Sequence, residues 1–183
     1  QVLDLEKIAQ HRGSVLGLMP NEQQPSQKHF DSLLFAAMKH LNPEKPVFIE
    51  AESRKIGNVQ LPSTLFAAMQ DGLHIEITAP LAERVGFLCQ EYQGLIDEPN
   101  YLSQRINSLV QLRGKDQIER WQTLIHAGQW PELVADLLEQ HYDPRYSVAQ
   151  QKHYGNQVPI LECPSLKTDD LATTARFLLQ NYS

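Results

Sequence analysis

Apolar positions along this chain follow two rhythms, one of strand length and one of helical step. Val2 to Leu5 reads as a strand, followed by the polar Glu6 and then His11-Arg12-Gly13-Ser14. Val47, Phe48 and Ile49 form a short apolar run behind Pro46, the kind expected of a strand covered on both faces. Leu73, Ile75 and Ile77 alternate with His74, Glu76 and Thr78, which places the three aliphatic residues inward and the other three on the opposite face. Val158 to Cys163 is the last strand-like run.

Between these runs the spacing becomes helical. Phe30, Leu33, Leu34, Ala37, Met38 and Leu41 recur at steps of three and four, with Ser26 as N-cap and Asn42-Pro43 as stop. Leu61-Pro62-Ser63 opens a second helix with Leu65, Phe66 and Met69 inward, ended by Asp71-Gly72. Pro80 starts a long helical region in which Leu81, Val85, Leu88, Cys89 and Tyr92 share a stripe. Tyr101 to Leu112 reads as one helix, with Leu102, Ile106, Leu109 and Val110 on one face. Lys115 to Ala127 carries Ile118, Trp121, Leu124 and Ile125, and Trp130-Pro131 opens a helix carrying Leu133, Val134, Leu137, Leu138 and His141. The two tryptophans read as core and helix-start anchors. Pro144 is expected to force Asp143 out of helical geometry and end that helix. Thr168 or Asp169 caps a final helix with Leu171, Ala175, Leu178 and Leu179 inward. This order predicts an α/β chain with a helical insertion, about 99–155, between its last two strands.

In an open parallel sheet, ligands bind beyond the carboxyl ends of the strands. The polar loops after the strands therefore carry the candidate chemistry. Glu50, Glu52, Ser53 and Arg54 follow Ile49 directly. They form either a site or a solvated loop in which Arg54 pairs with Glu50 or Glu52. His11-Arg12-Gly13-Ser14 offers two potential cations, a hydroxyl and backbone N–H groups, a set that suits a phosphate. Arg84 sits one turn past the third strand, where a phosphate contact is geometrically possible. Arg105, Arg113, Lys115 and Arg120 make the helical block the most basic local region. That pattern fits either an RNA backbone or a mixed, solvated helix face.

Composition narrows the classes. At 183 residues the chain fits one domain, or one domain with a helical insertion. A net charge of −6 argues against a nonspecific nucleic-acid coat while leaving room for a local basic site. No apolar run approaches the roughly 20 residues of a membrane span, and no signal peptide is visible. Cys89 and Cys163 are the only cysteines, and without a Cys-x-x-Cys pair they make neither a zinc ribbon nor a thioredoxin-like motif. They read as buried thiols in a reducing cytoplasm. No His, Cys or carboxylate cluster has ligand spacing, so no metal site is expected. Gln1 opens in what reads as mid-strand, and the chain is expected to be a piece of a longer protein.

The order of motifs resembles one family. Val-Leu-Asp-Leu-Glu with His11-Arg-Gly-Ser14, then Gln24-Pro-Ser-Gln27, then Glu50-Ala-Glu-Ser-Arg-Lys-Ile-Gly57, then Ala79-Pro-Leu-Ala-Glu-Arg-Val85, then Tyr142-Asp-Pro-Arg-Tyr146, is similar to the bacterial tRNA 2-selenouridine synthases essentially end to end. The resemblance implies an N-terminal rhodanese-like domain with a catalytic cysteine, outside this chain, joined to a P-loop domain of which residues 1–183 are most. Neither Cys89 nor Cys163 inherits that cysteine's role. It implies exchange of sulfur for selenium on wobble 2-thiouridine of tRNA, with selenophosphate, through an S-geranylated intermediate made from geranyl diphosphate.

The phosphate loop itself, G-x-x-x-x-G-K followed by Ser or Thr, is absent here and is expected just upstream of Val2. By analogy with P-loop kinases, its strand belongs between those near 47–51 and 73–78, so the span is expected to fold poorly alone. On this reading His11, Arg12, Gly13, Ser14, Ser53, Arg54 and Arg84 handle phosphate, with the three arginines on oxyanions. Glu50 or Glu52 orients a cation or a substrate donor, and Arg113 and Lys115 contact the tRNA backbone. The co-substrates are not covalently held cofactors. Two other readings stay open: a P-loop-type small-molecule or nucleotide kinase, and a noncatalytic tRNA-docking domain.

Overall fold

The computed structural model describes residues 1–14, 16–17, 23–51, 53–154 and 158–182, with backbone alone for 149–154. The chain divides into two units, Gln1–Leu73 with Arg176–Ser183, and His74–Ala175.

In the first unit β1 (Val2–Leu3) leads into α1 (Leu5–Ala9). Then come α2 (Gln27–Lys39), β2 (Phe48–Ile49), β3 (Lys55–Ile56), β4 (Val59–Gln60) and α3 (Ser63–Gln70). β1 and β2 pair in parallel, with Val2 opposite Phe48 and Leu3 opposite Ile49. β1 is shorter than its apolar pattern predicts, because the Asp4 carboxylate accepts the Lys7 N–H at 2.8 Å and caps α1. The loop expected after Ile49 closes as a hairpin, β3 antiparallel to β4, turning at Gly57-Asn58 with Gly57 at φ 59°. Ser26 caps α2 as predicted, its Oγ accepting the His29 N–H at 3.3 Å. Phe30 and Leu34 of α2 enter a core with Leu3, Leu5, Ile56, Val59, Leu61 and Met69. Met38, expected inward, is 42% exposed, because the core is met by the stripe of Phe30, Leu34 and Ala37, beside which Met38 falls.

In the second unit β5 (Glu76–Thr78) is followed by α4 (Leu81–Glu91), α5 (Gln93–Ile96), α6 (Pro99–Asn107), α7 (Val110–Arg113), α8 (Lys115–His126) and α9 (Trp130–Leu137). A π-helical turn, Leu138–Tyr142, joins α9 to α10 (Asp143–Tyr154), and β6 (Ile160–Glu162) and α11 (Thr168–Asn181) complete the chain. β5 and β6 pair in parallel, Ile77 opposite Leu161. The mixed α/β class is the one the pattern predicts; in place of one parallel sheet the described residues form two-stranded sheets, β1–β2 and β5–β6 parallel and β3–β4 antiparallel. The facing of β5 is not: Leu73 is 68% and Ile77 53% exposed, while Glu76 is half-buried. Alternation fixes that two faces differ, and only the neighbours decide which one is covered. Leu171, Ala175 and Leu179 of α11, expected inward, are likewise exposed.

Two helical expectations are corrected. Tyr101 to Leu112 is not one helix but α6 and α7, which break at Ser108-Leu109, where Ser108 Oγ donates to Arg105 O at 2.7 Å. This leaves Leu109 buried and Val110 exposed. Pro144 does not end its helix, and Asp143 stays helical at φ −59°, ψ −44°. Proline lacks an N–H and crowds the carbonyl four residues back. The π turn widens the helix immediately before it and absorbs both defects, so the chain continues as α10.

Candidate functional site

In the first unit the predicted groups lie on two segments, the loop that follows α1 and the stretch from Glu50 into the β3–β4 hairpin. Glu50 stands one residue past β2, and its Oε2 accepts the Leu5 N–H at 3.0 Å, tying that end to the start of α1. Burial pushes the Glu50 carboxyl above its ordinary range; the Leu5 hydrogen bond opposes this and nearby Asp4 adds to it. Glu52 lies outside the described residues.

His11 to Gly17 close into a loop: the Arg12 N–H donates to Gly17 O at 3.0 Å and the Gly17 N–H to Ser14 O at 2.9 Å. The His11 ring is buried, and its Nδ1 accepts the Gly13 N–H at 3.1 Å. That nitrogen is engaged by the loop's own backbone, so it is not turned out toward a phosphate, where the sequence predicts it. The ring fills a slot between two glycines. A Cβ on Gly17 would lie 2.8 Å from its Cε1, and one on Gly57 2.7 Å from its Cδ2. The slot brings the 11–17 loop against the β3–β4 hairpin. Ser14 Oγ is buried with no hydrogen-bond partner among the described residues.

Arg54 is exposed at the foot of that hairpin. It lines a cavity of about 450 Å³ together with Gln27, Asp31, Gln60, Leu61 and Ser63. The neighbouring Ser53 hydroxyl is spent on Lys55 O at 2.6 Å.

In the second unit Arg84 is held by a carboxylate. Its two terminal nitrogens donate to Asp143 at 3.0 and 2.6 Å, and this pairing keeps the guanidinium more firmly charged than usual. The position expected for an oxyanion is thus taken by a group with the same paired-oxygen geometry. A cavity of about 300 Å³ lies at the carboxyl ends of β5 and β6, lined by Thr78, Ala79, Pro80, Glu162, Cys163 and Pro164. Cys163 is buried, with its S–H donating to Ser165 O at 3.0 Å, and burial pushes the Cys89 thiol up. Cys163 is the buried thiol the sequence indicates, whereas Cys89, also expected buried, is half-exposed on α4.

The basic helical block is more inward than expected. Arg113 donates from Nε to His141 Nδ1 at 2.9 Å and from a terminal nitrogen to His141 O at 3.0 Å. Lys115 is exposed, 3.8 Å from Glu119. Trp121 is fully buried and donates to Asp136 Oδ2 at 2.7 Å, alongside Gln117 at 2.5 Å, while Arg120 approaches Oδ1 at 3.3 Å. His141 is buried beside them, and burial, then Arg113 and Arg145, lower it to about 4. Among the described residues no cluster of three or more His, Cys, Asp or Glu is arranged for a metal ion. No described helix is long and apolar enough to cross a membrane.

A family profile described as the tRNA 2-selenouridine synthase AAA domain matches residues 1–106. The chain is similar to the tRNA 2-selenouridine synthase of Nitrosomonas europaea, 37% identical over 112 residues, covering 60% of this chain and 28% of that protein. It is 32% identical over 178 residues to the enzyme of that name from Shewanella pealeana (80% of this chain, 47% of the relative). To the one from Psychromonas ingrahamii it is 26% identical over 177 residues (82% and 48%). The chain spans half or less of the length of these relatives. No solved structure matches.

Proposed function

This chain belongs to the tRNA 2-selenouridine synthase family, and from that premise we propose that it serves a tRNA-modifying transferase. The reaction is replacement of sulfur by selenium at the 2-position of wobble 2-thiouridine, through an S-geranylated base. Geranyl diphosphate and selenophosphate are co-substrates and tRNA is the acceptor. The compartment is the cytoplasm.

A P-loop-like fold accounts for the sheets. The kinase-type strand order needs β1 beside β2 and β5 beside β6. Both pairs are present and parallel, which supports that order. In the same proposal, residues 99–155 are the helical insertion, and a rhodanese-like domain and the phosphate loop belong to the complete protein.

Every substrate of the reaction carries phosphate, and the site chemistry is anion binding. The observation that carries the reading is Arg54, an exposed guanidinium at the foot of the β3–β4 hairpin, lining a cavity of about 450 Å³ in the segment that follows the parallel strand β2 along the chain. Arg54 and Arg12 hold oxyanions, with Gly13 and Ser14 supplying N–H and hydroxyl donors. Arg84 takes an oxyanion when Asp143 yields it. Glu50 and Glu52 orient a substrate donor. Lys115, with the donors of Arg113 that His141 leaves over, meets the tRNA backbone.

Arg54→Ala in the complete enzyme is expected to lower turnover about 100-fold, the typical cost of removing one oxyanion donor. Arg54→Lys is expected to recover it only in part, because an ammonium lacks the planar fork. Steady-state turnover of 2-thiouridine tRNA measures this, and normal turnover in Arg54→Ala would remove Arg54 from the site.

A further inference from the structure

Hydrogen bonds around the cavity identify two residues that act on it without being charged. Gln27 Oε1 accepts the Gln60 N–H at 2.8 Å, while its Nε2 donates to Gln60 O at 2.9 Å and to Asp31 Oδ1 at 2.8 Å. One amide side chain thus gives Gln60 the donor and acceptor that a neighbouring strand would supply. The next residue, Leu61, donates its N–H to Arg54 O at 2.8 Å. The connection runs from Gln27 to Gln60, to Leu61, to the backbone of Arg54.

Gln24 fixes the other end of the same hairpin. Its Nε2 donates to Ala9 O and to Ile56 O, each at 3.1 Å, and its Oε1 accepts the Asn58 N–H at 2.7 Å. A Cβ on Gly57 would overlap Gln24 Oε1, so the glycine is what lets the amide reach the turn. The Gln-Pro-Ser-Gln segment therefore grips the hairpin at its tip and its foot, and Ser26 between the two glutamines starts α2.

We propose that Gln24 and Gln27 are positioning residues that hold the β3–β4 hairpin, and through it the Arg54 guanidinium, at the cavity. This rests on the oxyanion role given to Arg54. A short hairpin of two-residue strands is marginal by itself, and the glutamine amides supply backbone partners on its open edge.

The test is a double-mutant cycle in the complete enzyme, read as inorganic pyrophosphate affinity by calorimetry, with the thermal midpoint followed in parallel. Arg54→Ala is expected to weaken pyrophosphate about tenfold and Gln27→Ala about fivefold. Gln27→Ala added to Arg54→Ala is expected to have no further effect, because residues acting through one group are not additive. Gln27→Glu keeps the acceptor for the Gln60 N–H but sets a carboxylate against Asp31 Oδ1 and Gln60 O in a site for anions, so a loss at least as large as that of Gln27→Ala is expected. If Gln27→Ala is silent, or adds its full effect to Arg54→Ala while the midpoint drops, the glutamine is only structural and the inference is overturned. If Arg54→Ala is itself silent, the oxyanion reading and this inference both fall.

Discussion

Replacing Trp121 by alanine is expected to destabilise the helical unit by about 5 kcal/mol. The indole is fully buried in α8, and large-to-small changes at such positions cost about 3–5 kcal/mol. It also donates to Asp136 Oδ2 at 2.7 Å. Its loss leaves a buried carboxylate with one neutral donor fewer, a further penalty of about 1–3 kcal/mol. Trp121→Phe separates the two parts: it keeps most of the volume, loses the hydrogen bond, and is expected to cost about 2 kcal/mol. Amide exchange of α8 and α9 in the complete protein reports both. Losses below 1 kcal/mol for both variants would show that Trp121 is not the anchor of this core.

The same unit is expected to lose about 2 kcal/mol of stability between pH 6.5 and pH 5. His141 is held neutral because burial opposes its charge and the cations Arg113 and Arg145 stand beside it, which lowers it to about 4 from 6.5. The unfolded chain takes up the proton first. The contribution is therefore fully present above about 6.5 and is lost as pH falls toward about 4, at roughly 1.4 kcal/mol per pH unit. His141→Gln removes this titration, so its stability is expected to change little over the window. Exchange of the α8 amides from pH 6.5 to 5 checks it. The same slope in wild type and His141→Gln would contradict the assignment.

These two effects sit on features that the sequence carries unevenly. Trp121 is legible, because it falls on a helical stripe with Ile118, Leu124 and Ile125, and all four are buried. His141 is visible as part of an apolar helix face, but its neutrality comes from burial and then from Arg113, 28 positions away, and no spacing rule joins them. Pro144 misleads for a related reason. The rule about proline describes the α-helix, and the π turn before it changes the helix.

In the first unit the places of β1 and β2, the Ser26 cap and the burial of Phe30 and Leu34 follow from pattern, but Val47 is exposed and Phe48 and Ile49 half-buried where cover on both faces is expected. The hairpin does not follow from apolar alternation, because each strand has only two residues. Its signal is the Gly57-Asn58 pair between two apolar residues, Ile56 and Val59. The grip of Gln24 and Gln27 has no pattern signal, since a glutamine reads as a solvated polar residue until its partners are known. The charged candidates are legible as residue types in the loops and helices of the pattern, but their partners, Asp143 for Arg84 and His141 for Arg113, depend on tertiary packing.

The central claim is tRNA selenation, and one assay tests it. The complete protein is incubated with a 2-thiouridine tRNA, geranyl diphosphate and selenophosphate, and the wobble nucleoside is read by mass spectrometry. The expected result is the S-geranylated base followed by the 2-selenouridine base. An unchanged wobble base, with verified co-substrates and tRNA, would contradict the account and turn attention to phosphate acceptors of a kinase.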